Sequence, residues 1–221
     1  MPRPLSLSQT QKNILSHLTR VMFCTFDQIQ YWLDIGKPAT SEAIKVLAKH
    51  KLVKLTDRVK PHIVQLTHSG ARVSGTTLST GKTFYSWSAK VQRIYRNDAE
   101  ILLRGVHRGF TMQSRKHHLS LGLNPSHGEN AGVDIDKKVY FCLVDDYRMK
   151  PDRLMHAWTR QHTPNKLFFD STHGFKWSIL SDHYCFFSTD ADALSRFKSY
   201  NEGKGDSALP VSFYYLKPRW H

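Results

Sequence analysis

The sequence predicts an α+β protein in two parts: helices followed by a hairpin over residues 1–75, and an α/β domain over residues 84–221. Three observations carry this reading. Three short stretches with helical apolar spacing precede two runs of partial alternation in the first third. A Ser/Thr/Gly stretch, SGTTLSTGKT at 74–83, has no apolar period, so residues 76–83 read as a linker. Beyond it, helical and strand-like signals follow in the order helix, strand, strand, strand, helix, strand, helix, strand.

Composition narrows the partner. The 221 residues are 40% hydrophobic and 12% aromatic, enough for folded cores. Against 18 Asp and Glu stand 32 Lys and Arg, a formal charge of +14, which points to a polyanion. A membrane is the competing anionic surface, but no apolar run approaches the roughly 20 residues of a spanning helix, and MPRPLSLSQT lacks a signal-peptide core. The expectation is a cytoplasmic protein with no membrane partner. Cys24, Cys142 and Cys185 are scattered and odd in number, and read as core thiols, not a disulfide framework or a zinc site.

In order, SQTQKNILSHL places Ile14, Leu15 and Leu18 on one face behind a Ser cap, the first helix. In TFDQIQYWL, Thr25 and Gln28 form a capping-box pattern, and Phe26, Ile29, Trp32 and Leu33 share a face. After a break at Gly36, Lys37 and Pro38, Thr40 or Ser41 is the expected cap of a third helix that buries Ala43, Ile44, Leu47 and Ala48 and exposes Lys45, Lys49 and Lys51. LVKLT and HIVQLT then form a hairpin with a basic tip, and THSGARV opens a further turn of helix.

Three helices followed by a two-stranded hairpin resemble a winged helix-turn-helix. That resemblance implies double-stranded DNA as partner, with Thr40, Ser41, Glu42, Lys45 and Lys49 near the major groove and Arg58 and Lys60 on the wing. It also leaves room for a homodimer on a two-fold symmetric site, and winged helices serve as protein-docking modules as well.

In the second domain, SAKVQRIYRNDAEILLRGVHRG is mostly helical, with an interruption expected near Asn97 and Asp98. FTMQSRKHHLSLGL and the hairpin GVDIDKKVYFCLVDDYRMK follow. Next come a Pro-started helix PDRLMHAWTRQ, a β-rich run KLFFDSTHGFKWSILSDHYCFFSTD, a helix ADALSRFKSY and a strand VSFYYL. This order, with the strand-to-helix passage YCFFSTDADALSRF, resembles the restriction-endonuclease-like, PD-(D/E)xK, core. A winged helix placed before such a core is similar to the replication-relaxation family, which includes the MobC-type plasmid mobilisation proteins.

The resemblance implies a metal site on the hairpin. Asp134 matches the first Asp of the motif, with Val133 where the family usually has Pro, and Asp146-Tyr147-Arg148 falls in the (D/E)xK position with Arg in place of Lys. Asp134 and Asp146 would hold Mg or Mn through hard oxygens, with Glu100 from the helix completing the shell. Arg148 can clamp a phosphate but stays protonated and cannot act as a base; Lys150 is the substitute. The competing reading of the same residues is a set of acidic strand ends. The expected function is thus sequence-specific binding of double-stranded DNA for a plasmid, phage or other mobile element. The alternatives are a metal-dependent nickase and a protein-docking or dimerisation scaffold.

Overall fold

The structure, a computed structural model, describes residues 6–56, 60–78, 86–113, 130–145, 152, 167–170, 175–178, 183–208 and 210–220. The chain divides into two compact units, Met1–Asp98 with Pro218–His221, and Ala99–Lys217. The first unit therefore extends past the 76–83 boundary read from the sequence and takes in four residues from far along the chain.

The first unit runs α1 (Gln9–Val21), β1 (Phe23–Thr25), α2 (Phe26–Leu33), α3 (Lys37–Lys49), β2 (Val53–Leu55), β3 (Ile63–Leu66), α4 (His68–Val73) and the first part of α5 (Trp87–Val106). Ser8 starts α1 with a capping box: its Oγ accepts from Gln11 N–H at 3.3 Å, and Gln11 Oε1 accepts from Ser8 N–H at 2.9 Å. The helix buries Ile14, Leu15, Leu18 and Val21. Gln28 Oε1 accepts from Thr25 N–H at the start of α2.

The third helix starts earlier than its Ser/Thr content suggests. Gly36 is the N-cap and Pro38 lies in the first turn, where a missing N–H breaks no helical bond. Thr40 is consequently inside α3, fully buried, with its hydroxyl donating to Gly36 C=O at 3.0 Å. This corrects its assignment as a cap and as a DNA contact.

The strands form an antiparallel sheet in the order β1-β3-β2. One core joins α1, α2, α3 and this sheet through Ile14, Leu18, Ile29, Ile44, Leu47, Val64 and Leu66. A second cluster joins Phe23, Ile63 and Ile94, with Trp220 packed against it. His17 sits beside Trp32, and burial, assisted by Arg20, pushes its imidazole down to about 4, so it is neutral at pH 7.

A polar network threads this unit. Gln28 Nε2 donates to Ile94 C=O and Asp98, and Asn97 Nδ2 donates to Phe23 C=O and Gln28 Oε1. Asn97 and Asp98 therefore do not interrupt α5, which is continuous; they are its inward-facing polar contacts. Arg219 closes the network, donating twice to Asp98 (2.6 Å each) and twice to Asp27 (2.9 and 3.2 Å), while Trp220 packs edge-on against Tyr95 and Trp87.

The second unit holds the rest of α5, then β4 (Thr111–Met112), β5 (Asn130–Val133), β6 (Val139–Val144), β7 (Leu167–Asp170), β8 (Phe175–Ser178), β9 (His183–Ser188), α6 (Ala191–Glu202), a 3-10 turn (Gly205–Ser207) and β10 (Val211–Tyr215). A five-stranded sheet has the order β10-β9-β6-β5-β4. The β4, β5 and β6 strands make an antiparallel meander; β6, β9 and β10 are parallel. Strand β9 is buried from Tyr184 to Ser188, the near-continuous apolar run expected of a central parallel strand. Asp190 Oδ1 caps α6 by accepting from the Asp192 and Ala193 N–H groups, and Phe197 stacks on Phe186 at 4.2 Å. The expected helix PDRLMHAWTRQ lies outside the described residues, apart from the exposed Asp152. No described helix is long and apolar enough to cross a membrane.

Candidate nucleic-acid interface

In α3 the buried positions Thr40, Ala43, Ile44 and Leu47 fix which side faces out. Lys37, Pro38, Ala39, Glu42, Lys45 and Lys49 are exposed, Ser41 is partly buried, and the exposed face continues into His50 and Lys51. Beyond it, Lys54 on β2 and Lys60 near the hairpin tip are exposed as well; Arg58 lies outside the described residues. Glu42, Lys45 and Lys49 thus share one solvent-facing stripe at helical spacing. Lys37 and Lys54 were not singled out from sequence. Period-two alternation in Val53-Lys54-Leu55 would have marked Lys54 as outward.

Charge is concentrated in this unit. Residues 1–98 and 218–221 contain 16 Lys and Arg against 5 Asp and Glu, a net +11; residues 99–217 contain 16 against 13, a net +3. Two of the five acids, Asp27 and Asp98, are engaged by Arg219. Crowding of like charge is visible at Lys90, whose ammonium is destabilised first by burial and then by Lys54.

The hairpin of the second unit has a different character. Asp134 follows β5 and organises the turn: Oδ1 accepts from Asp136 N–H (3.0 Å) and Lys138 N–H (2.9 Å), and Oδ2 accepts from Tyr140 O–H at 2.7 Å. Burial raises the Asp134 pKa, but the Tyr140 and backbone hydrogen bonds outweigh it and leave the carboxyl below its ordinary value. The Tyr140 phenol is pushed up, first by burial and then by Asp134. Its ring lies 4.5 Å from that of His107 and stacks on His183 at 5.3 Å. Burial is also the first cause lowering the His107 pKa, against the pull of Asp134.

The register fixes where Asp134 lies on the hairpin. Val133 pairs with Val139 and Asn130 with Cys142, so Asp134 sits at the turn end of the hairpin. Asp145 follows the opposite end of β6, seven residues beyond Lys138 and so about 23 Å away along the strand. There its N–H donates to Phe187 C=O and its carboxylate accepts from Ser188 Oγ. Asp146, Arg148 and Lys150 lie outside the described residues.

Glu100 is 2% exposed and accepts from Met112 N–H at 3.0 Å, which holds α5 against β4. Among the described residues no group of three or more His, Cys, Asp or Glu could hold a metal ion. Of the ligands expected for Mg or Mn, Glu100 is engaged by Met112 and Asp134 by its own turn and Tyr140.

Replacing Asp134 by Ala frees two turn N–H groups and the Tyr140 hydroxyl. The expected result is a fall of a few degrees in the thermal midpoint of the second unit, while Asp136→Ala, at an exposed turn position, leaves it unchanged. Equal midpoints for both variants in a melting experiment would contradict the turn-forming role of Asp134.

No family model, curated protein or solved structure matches the chain. What the fold defines is an α+β protein whose net charge resides mainly in one of its two units.

Proposed function

We propose that the chain is a sequence-specific binder of double-stranded DNA that acts through the first unit as a winged helix, serving mobilisation, replication or transcription control of a mobile element. The observation that carries this reading is the exposed Glu42, Lys45 and Lys49 stripe of α3 in a unit of net charge +11. The order α1, β1, α2, α3, β2, β3 supports it, since β2 and β3 would form the wing that follows a recognition helix. In the second unit, the last part of α5, the β4-β5-β6 meander, parallel β9, α6 and β10 support a nuclease-like scaffold.

Each phosphate contact releases counterions, so the affinity should fall with salt. In Lys45→Ala/Lys49→Ala the slope of log affinity against log salt concentration is expected to flatten by about 2, with weaker binding to every duplex. Fluorescence anisotropy at several salt concentrations checks this. An unchanged slope would remove α3 from the interface.

A further inference from the structure

We infer that Glu42 reads a base, accepting a hydrogen bond from the exocyclic N4 amino group of a cytosine in the major groove; this rests on the DNA-binding reading proposed above. Glu42 is the one acidic residue of α3, on an exposed stripe with Lys45 and Lys49. Among the described residues no hydrogen bond or ion pair engages its carboxylate.

A carboxylate facing a polyanion is repelled unless it receives a proton donor. In the major groove the donors are the amino groups of cytosine and adenine. Adenine N6 lies beside the N7 acceptor, which repels a carboxylate, whereas cytosine N4 lies beside a C–H edge, so cytosine is the better match. Lys45 is three residues further on, about 4.5 Å along the helix axis. That is close to one base-pair step, so its ammonium reaches the O6 and N7 acceptors of a guanine in the same or the neighbouring pair. Glu42 and Lys45 together would select a C·G-containing step.

The test begins with selection of bound duplexes from a random library by the wild-type protein. Affinities are then measured at fixed salt for the selected site and for versions in which each C·G pair is replaced by T·A, which exchanges the amino donor for a carbonyl acceptor. One such replacement is expected to weaken wild-type binding roughly tenfold or more, and to weaken Glu42→Ala by about twofold or less. Glu42→Ala should also bind random-sequence duplex more tightly than wild type, because a repelled carboxylate has been removed. A Glu42→Ala protein, folded by circular dichroism, that keeps the full penalty at every position overturns the inference and leaves DNA binding intact. A wild-type protein that binds no duplex overturns both.

Discussion

Arg219→Ala is expected to destabilise the first unit by about 3 kcal/mol, because it strips the cation from a largely buried carboxylate. The Arg219 and Asp98 side chains are only 17% and 15% exposed, and two 2.6 Å bonds join them. Asp27, at 59% exposed, contributes little of this cost. Lysine is a poor replacement, since it cannot present paired donors to both carboxylates at once. Asp98→Asn in the Arg219→Ala background should recover part of the loss, as a neutral amide is less costly to bury unpaired. Chemical denaturation followed by tryptophan fluorescence reads the result, with Trp220 and Trp87 close by. A change below about 0.5 kcal/mol would mean that the clasp is solvated and unimportant.

Gly70→Ala should be comparably damaging for a steric reason. Thr67 N–H and Oγ–H both donate to Leu52 C=O, and Thr67 Oγ caps α4 by accepting from Gly70 N–H. This pins the first turn of α4 onto the Leu52 carbonyl. A methyl group at Gly70 would run into that oxygen and approach Leu66 Cδ1 at 2.8 Å. Backbone fixed by two hydrogen bonds cannot retreat cheaply, so the loss is about 3 kcal/mol. Gly105→Ala supplies the contrast: it lies in α5 with open space around its position, and alanine there should stabilise by about 0.5–1 kcal/mol through helix propensity. Equal midpoints for Gly70→Ala and wild type in urea would show that α4 can shift away.

Much of the fold was legible because its signals are local. The capping box at Ser8 and Gln11, the apolar stripe of α1 and the strand signals of β3, β9 and β10 all appear within a few residues of one another. What failed was equally physical. Proline was read as a break at Pro38, although the first turn of a helix tolerates it, and Thr40 was therefore placed outside a helix that buries it. Strand β1 has three residues, too few for an alternation to register. Asn97 looks like a helix breaker until Phe23 C=O is found opposite it.

The lysine face of the candidate interface followed from spacing alone. By contrast, the Asp134 reading rested on motif order, which says nothing about which end of a hairpin a residue occupies; that is fixed by the register of Val133 opposite Val139. The Arg219 clasp, 192 residues from Asp27, had no local signal at all.

That separation bears on the order in which the chain acquires its structure during synthesis. The pairings of β1, β2 and β3 and the packing of the first three helices join near neighbours, so they can form early. Asp98, however, meets Arg219 only after a further 121 residues have been made, on the order of ten seconds at ordinary elongation rates. Through that interval the carboxylate of Asp98 lacks its guanidinium, and Phe23, Ile63 and Ile94 lack the cover of Trp220. Most of this unit is translated before the other, yet Arg219 and Trp220 must arrive before its clasp and its core are complete, so it is exposed to proteolysis and to chaperones for longer than its position in the chain would suggest.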